Sequence, residues 1–468
     1  MDDVARLIKD PTSVRSYAHF DRRVSFASRQ DLITDSSFVK SYPFYPLIEK
    51  DMRRMKQGPD GPFNDPRPIR YAAHLDRCIY QYYSALLNAK YNELTADLGI
   101  GDSAIAYRTN MKGKSNCDFA LRAFSAMREM GDCFVCAGDF KSFFETLDHG
   151  YLKGQVRRLF DGGLIPDDYY HVLKGATKYS VWDIKDLLSY HGLPYSKSGI
   201  KRLNQRDRVL EPGVFRRLAK SFVTRPWKDN GGAGIPQGLP ISGVLANIYM
   251  LEFDKAMCDA AESAGGLYMR YSDDFIFIAP SVGSFAEICQ TLNQLCDGVP
   301  KLELHPDKTQ KYILRDGVAY LTDESLTVAE GERSTRIDYL GFAFDGKVVR
   351  LRQKTIWRFY RRMYRRISSI YRWKYMPGKK RVDKLYLDFS DWGRVPWGNI
   401  KVRHRVGDGG RSGNFLSYAE RAQAAFPSDP ISEDVAQHKR KIRNRVKRIR
   451  EKKFGEKGRY ARFGKRKK

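Results

Sequence analysis

Nowhere among the 468 residues does an apolar run approach the ~20 positions that a membrane-crossing helix needs, which excludes a helical membrane protein and any membrane partner of that kind. The opening Met1-Asp2-Asp3-Val4-Ala5-Arg6 lacks the basic and apolar regions of an export signal. Cysteine is scarce: seven, an odd count without framework spacing, exclude a disulfide-stapled scaffold and suit a reducing cytoplasm, the expected location. Cys133-x-x-Cys136 lacks a second ligand pair and reads as packing rather than as half of a zinc or redox site. There is no internal repeat and no heptad run long enough for a coiled coil. Acidic residues are also short, 55 against 83 Lys and Arg. The resulting net charge of +28 favours nucleic acid through counterion release and steered encounter.

What is present describes a soluble globular chain: 42% hydrophobic and 29% charged residues, with length for two or three subdomains. More than half of the surplus charge lies in residues 438–468, which hold 17 Lys and Arg against two Glu. This tail, with Lys439, Arg440 and Lys441 at its start, is expected to become helical on a phosphate backbone; the plainer reading is a disordered solubilising tail. After residue 350, Arg358, Arg361, Arg362 and Arg365 interleave with Trp357, Phe359, Tyr360 and Tyr364. Such a helix can neutralise phosphates with its cations and stack bases or ribose on its rings. The same spacing also fits aromatics facing a core with arginines facing solvent.

The chemistry concentrates elsewhere. Tyr271-Ser272-Asp273-Asp274 lies between apolar runs, where a strand pair would turn. Two adjacent carboxylates at ~4 Å repel by roughly 4 kcal/mol at an effective dielectric near 20, a strain that a multivalent cation relieves. Hard oxygen ligands suit Mg²⁺. A phosphoryl-transfer site built on two metals needs a further carboxylate. Cys133-Phe134-Val135-Cys136-Ala137-Gly138-Asp139 supplies one as a short apolar strand ending in an aspartate. Between them Gly234-Ile235-Pro236-Gln237-Gly238-Leu239-Pro240-Ile241-Ser242 opens a helix whose apolar positions 241, 244, 245 and 248 keep helical spacing. His149 and His305 flank these motifs, but metal-activated attack by a hydroxyl needs no histidine, so both read as structural.

Strand and Asp, then Pro-Gln-Gly loop and helix, then Tyr-x-Asp-Asp hairpin: this ordered trio resembles the palm of a reverse transcriptase. Leu304-His305-Pro306-Asp307-Lys308-Thr309 resembles the family's next motif. Tyr339-Leu340-Gly341-Phe342-Ala343-Phe344-Asp345-Gly346-Lys347-Val348-Val349 resembles its primer-gripping hairpin, and its Asp-Gly pair is itself a turn signal. Pro68-Ile69-Arg70-Tyr71 and residues 106–116 resemble the fingers motifs. The similarity runs from about residue 65 to about residue 425. Within the superfamily, His74-Leu75-Asp76-Arg77-Cys78-Ile79-Tyr80-Gln81-Tyr82-Tyr83, the Ala106-Tyr107-Arg108 segment and residues 414–426 resemble bacterial enzymes of the unknown-group and abortive-infection class implicated in phage defence. The Asn-Ala-x-x-His and Val-Thr-Gly signatures of retron enzymes are missing, as is the Cys/His array of a maturase endonuclease.

The resemblance implies an α+β right-hand polymerase fold: fingers, a palm of antiparallel sheet and helices, and a helical thumb. The expected divisions are an N-terminal extension (1–64), fingers and palm (65–349, with an insertion at 161–232), a thumb-like region (350–437) and the basic tail (438–468). A strand is expected over Ala104–Arg108 and a helix over His74–Lys90. The implied activity is RNA-directed DNA synthesis from dNTPs, on a template that is a structured non-coding RNA, giving a DNA product. Asp139, Asp273 and Asp274, with the backbone carbonyl of Phe140, are the implied ligands of two Mg²⁺ ions, for which Mn²⁺ can substitute. Arg108, Lys112 and Lys114 are expected on the triphosphate, Gln237 on the incoming nucleotide, and Lys308 as proton donor to pyrophosphate. Phe144 is expected below the sugar, with Phe143 pointing elsewhere. Two other readings stand: a template-independent or protein-primed polymerase, and a catalytically silent RNA-binding scaffold.

Overall fold

The computed structural model describes residues 11–52, 55–58, 61–111, 113–328, 331–371, 384–386, 388–389, 406–407, 411–412 and 415–454. In chain order the first principal elements are β1 (Leu47–Met52), β2 (Met55–Gly58), β3 (Gly61–Asn64), β4 (Arg67–Tyr71), α1 (His74–Asp97), α2 (Asn116–Met130) and β5 (Cys133–Asp139). Next come α3 (Phe143–Thr146), α4 (His149–Arg158), α5 (Asp167–Thr177), β6 (Val181–Asp183), α6 (Ile184–Tyr190), α7 (Lys197–Leu203) and α8 (Pro212–Phe222). Then follow α9 (Ser242–Tyr249), α10 (Leu251–Ser263), the strands β7 (Leu267–Tyr271) and β8 (Asp274–Ala279), and α11 (Val282–Gly298). The last are β9 (Gln310–Arg315), β10 (Val318–Thr322), β11 (Ile337–Tyr339), β12 (Phe342–Phe344), β13 (Val349–Leu351), α12 (Gln353–Ile370), α13 (Phe415–Ala425) and α14 (His438–Phe454). No helix among the described residues is long and apolar enough to cross a membrane.

A five-stranded sheet has the order β10-β9-β5-β8-β7. β5 is buried on both faces, as its unbroken apolar run requires of a central strand, and pairs antiparallel with β9 in the register Val135↔Tyr312. Cys133 and Cys136 are buried in it and form no disulfide, as packing residues should.

The chain forms two compact units. The first comprises Met1–Lys112, Gly138–Phe277 and Gly283–Thr309. In it β1 lies between β4, antiparallel, and β6, parallel. Ala18, Phe20, Ile48, Trp182, Ile184, Leu187, Leu203 and Val209 make one hydrophobic cluster. This sheet spans residue 64, and Trp182, Leu187, Leu203 and Val209 of the segment 161–232 pack in one cluster with Ala18, Phe20 and Ile48. α1 starts at His74 as expected but runs on to Asp97. Ala104–Arg108 is not a strand: after a single bridge from Ala104 to Arg270 the backbone turns left-handed at Tyr107, φ 59°. α9 is mostly apolar, and all but Gly243 of its residues are buried, Ser242 and Asn247 with their side chains hydrogen-bonded.

The second unit comprises Gly113–Ala137, Ile278–Val282 and Gln310–Lys468. α2 begins with a capping box, in which the Ser115 hydroxyl accepts from Cys117 N–H and Asp118 accepts from the Ser115 N–H at 2.7 Å; it stops at Gly131, φ 72°. β12 and β13 form the expected hairpin at Asp345-Gly346, with Gly346 at φ 108°. α12 buries Ile356, Phe359, Tyr360, Met363, Ile367 and Ile370 and exposes Trp357, Arg358, Arg361, Arg362 and Arg365, so most of its aromatics face a core while its arginines face solvent. Residues 438–454 are not a free tail. They form α14, which buries Ile442 and Val446 and packs on α12. Lys441 sits 3.8 Å from the centre of the Tyr360 ring, Arg445 5.4 Å from that of Tyr364, and Arg450 5.7 Å from that of Tyr371. Residues 455–468 lie outside the described residues.

Candidate active site

The acidic residues meet because β5 and the β7–β8 hairpin are stitched at their ends. The Phe140 N–H donates to the Asp273 carbonyl at 3.1 Å. On the other side of the strand end, the His305 N–H donates to the Asp139 carbonyl and the Lys141 N–H to the Glu303 carbonyl, both at 2.8 Å. Gly138 makes the fit possible: a Cβ there would lie 2.4 Å from Cζ of Phe275, the residue after Asp274. Phe140 is buried against Phe143, Phe253 and Phe275. Asp139 is therefore held at the tip of a buried strand, beside the turn that carries Asp273 and Asp274.

The turn itself is held from below. Ser272 takes a left-handed φ of 63°, a conformation that costs a non-glycine residue about 1–3 kcal/mol and needs surrounding support. Arg270 supplies it. Its Nη1 donates to the Ser272 carbonyl at 2.8 Å, while Nε and Nη2 grip Asp254 at 2.8 and 2.6 Å, both side chains fully buried. Burial works against the Arg270 charge, but the Asp254 carboxylate outweighs it and holds the guanidinium above the ordinary arginine range. Removing either partner alone would strand the other charge in the core, at a cost of about 3–5 kcal/mol.

Lys308 Nζ reaches Asp139 Oδ1 at 2.7 Å. Among the described residues no three His, Cys, Asp or Glu side chains are grouped as metal ligands are. The donor set nonetheless fits hard divalent ions: three carboxylates on two elements tied by one backbone bond, Asp139 largely buried, Asp273 partly exposed and Asp274 exposed. Tyr271, beside them, has its phenol pushed up by burial and then by neighbouring Tyr107 and Asp274.

The Pro-Gln-Gly loop is zipped to two neighbours. Ile235 N–H donates to the Phe144 carbonyl and Gly234 N–H to that of Leu147, both at 2.8 Å. The Gln237 carbonyl accepts from Arg70 N–H on β4, and at Gly238, φ 115°, a Cβ would lie 2.3 Å from the Arg70 carbonyl. Phe143 packs on Phe140, whereas Phe144 is the less buried of the two. His149 serves structure: it bonds the Gly234 carbonyl, and burial lowers its pKa.

Arg108 corrects the sequence reading. Its guanidinium does not face a triphosphate. Nε donates to Asn92, Nη1 to the Ala104 carbonyl and Nη2 to Thr95, and the group lies over the Tyr91 ring. A charge looks the same in sequence whether it faces ligand or core. Lys114 is exposed, and Lys112 lies outside the described residues. Sequence reasoning missed Arg270, Asp254 and Asn247. The available signal was a polar residue inside an otherwise apolar run, which a fold admits only when it is paired.

Residues 225–344 match the family model for "Reverse transcriptase (RNA-dependent DNA polymerase)", a span that includes Gln237, Asp273, Asp274 and Lys308 but not Asp139. No curated protein sequence matches the chain significantly. Among solved structures, one similar chain is apo telomerase from Candida tropicalis truncated from its C-terminal domain, with 12% identity and a TM-score of 0.41, covering 70% of this chain and 61% of that one. Apo telomerase from the same organism gives 12%, 0.39, 92% and 66%. Telomerase from Candida albicans in complex with a TWJ fragment of telomeric RNA gives 11%, 0.37, 89% and 62%. The chain thus spans less than two thirds of the length of each. The family match and the antiparallel sheet flanked by helices agree on an α+β polymerase fold of the right-hand class.

Proposed function

Since the chain carries a reverse transcriptase domain, the domain of RNA-directed DNA polymerases, we propose that it extends a nucleic-acid 3′ end with dNTPs on an RNA template, releasing pyrophosphate. The observation that carries this reading is the Phe140 N–H to Asp273 carbonyl bond, because it sets Asp139 beside the Ser272–Asp274 turn. Asp139, Asp273 and Asp274, with the Phe140 carbonyl, would hold two Mg²⁺ or Mn²⁺ ions. When bound, such a pair activates the attacking hydroxyl and offsets charge on the leaving group. Lys308, already 2.7 Å from Asp139, is the residue to hold a proton near the departing pyrophosphate. Gln237 packs on the incoming nucleotide, Lys114 meets its triphosphate, and Phe144 lies below its sugar. Arg358, Arg361, Arg362 and Arg365, with Lys439 and Arg440, take template and product strands.

Asp139→Asn tests the site: incorporation should vanish while the thermal midpoint stays within a few degrees, and chelator should abolish activity in the wild type. Near-normal synthesis by that variant would overturn the assignment.

The finer reading, a cytoplasmic bacterial polymerase of antiviral defence working on a structured non-coding RNA, rests on the sequence resemblance at 74–83, 106–108 and 414–426. Sequencing nucleic acid that co-purifies with the protein tests it. One enriched structured RNA supports it, whereas product independent of any RNA favours template-free or protein-primed synthesis.

A further inference from the structure

Tyr107 stands out once Arg108 is known to face inward. Ser103, Ala104, Ile105, Ala106 and Arg108 are all buried, while Tyr107 is 52% exposed. It holds a left-handed φ of 59° although it is not glycine. The surrounding bonds fix that conformation from every side. Asn247 Nδ2 donates to the Ala106 carbonyl at 2.7 Å, and Asn88 Nδ2 to the Tyr107 carbonyl at 2.6 Å. Arg108 is clamped by Asn92, Thr95 and the Ala104 carbonyl. The Asn247 that holds Ala106 also receives Arg270, the arginine that supports the Ser272 turn.

The ring is aimed by this scaffold at one place. It lies flat on Gly243, in the first turn of α9 after the Pro-Gln-Gly loop, where a Cβ would come within 2.6 Å of Tyr107 Cγ. Its hydroxyl is 3.4 Å from Ser272 Oγ, one residue before Asp273. A half-exposed aromatic, strained in backbone and seated between that loop's helix and the acidic turn, does little for a core. It offers a π-face beside the reacting centre.

We propose that Tyr107 is a nucleotide-binding residue whose ring stacks on the base of the incoming nucleotide. The inference rests on the nucleotide-insertion reading of this site and deepens it. Stacking is tolerant of base identity because every base has a π-face, and it favours the larger purines.

The test is single-nucleotide incorporation by the full chain at varied dNTP concentration, with equilibrium dialysis of labelled dATP as a direct binding measurement. Tyr107→Ala should raise the KM for each dNTP by about 5- to 100-fold, the range of one aromatic stack, with a larger rise for purines and a smaller fall in kcat. Tyr107→Phe should restore KM to within about threefold, since the π-face remains. Gly243→Ala should evict the ring and reproduce the KM rise, with no further rise when combined with Tyr107→Ala. An unchanged KM in Tyr107→Ala, or a loss confined to kcat, would overturn the stacking role while leaving the polymerase reading intact. A wild-type protein that neither binds nor incorporates nucleotides would overturn both.

Discussion

Gly138 precedes the first acidic residue and has no room to be anything else. An alanine there would push into Phe275, so Gly138→Ala should cost about 1–3 kcal/mol of unfolding free energy by overpacking. Incorporation should fall further than that loss explains, because the displaced ring follows Asp274. Denaturant unfolding beside a primer-extension assay checks both. At Phe144 the expectation is a change of choice rather than of fold. Discrimination by clash predicts that Phe144→Ala admits ribonucleotides, while Phe143→Ala, whose ring packs on Phe140, mainly lowers stability. Wild-type protein that takes rNTPs as readily as dNTPs would refute the gate. His19 gives a pH prediction. Fully buried, it presents Nε2 to the Tyr71 carbonyl and Nδ1 to the Phe20 N–H, a set that only the neutral ring satisfies. Burial lowers its pKa from 6.5 to about 3. Between those values the unfolded chain binds the proton and the folded one does not. Its contribution is therefore whole above pH 6.5 and is lost as pH falls towards 3, by up to roughly 1.4 kcal/mol per unit. His19→Gln should be less stable at pH 7.5 yet show a flatter decline between pH 6.5 and 4.5; parallel declines would exclude the assignment.

At the scale of elements, the sequence disclosed what chemistry demands locally and concealed what depends on direction. β5 was legible because a seven-residue apolar run ending in Asp has one economical reading, and the β7–β8 and β12–β13 hairpins because their turns carry Ser-Asp and Asp-Gly. The strand expected at Ala104–Arg108 failed because nothing in Ala-Tyr-Arg announces a positive φ at Tyr107. β6 escaped notice because a three-residue strand made by pairing with distant β1 has no periodicity of its own. α14 was misjudged for a related reason: its cations dominate the composition, while its seam of Ile442 and Val446 is only two residues deep. Deleting residues 438–468 should accordingly do more than weaken RNA binding. It uncovers the Tyr360 and Tyr364 side of α12 and should lower the thermal midpoint by several degrees, readable by calorimetry. An unchanged midpoint would mean that α14 contributes no packing.

For the molecule as a whole, net charge overstates the cations free to meet phosphate. Of the basic residues on α14, Lys441, Arg445 and Arg450 lie over tyrosine rings, whereas Arg440, Arg443, Lys447 and Arg448 are exposed. Converting those four to Gln should reduce the slope of log K against log salt by about 3, at roughly 0.7–0.9 per phosphate contact, without moving the melting temperature. An unaltered slope would show that this face does not touch nucleic acid. The tyrosine seats carry a consequence of another kind. A cation over a ring is held by the ring's quadrupole at short range, and at about 1 M salt, where the Debye length is about 3 Å, that grip outlasts any attraction acting through solvent. Brine should therefore strip the cargo and leave the carrier: a wash that elutes every nucleic acid from the protein ought to leave its helical circular dichroism where it was.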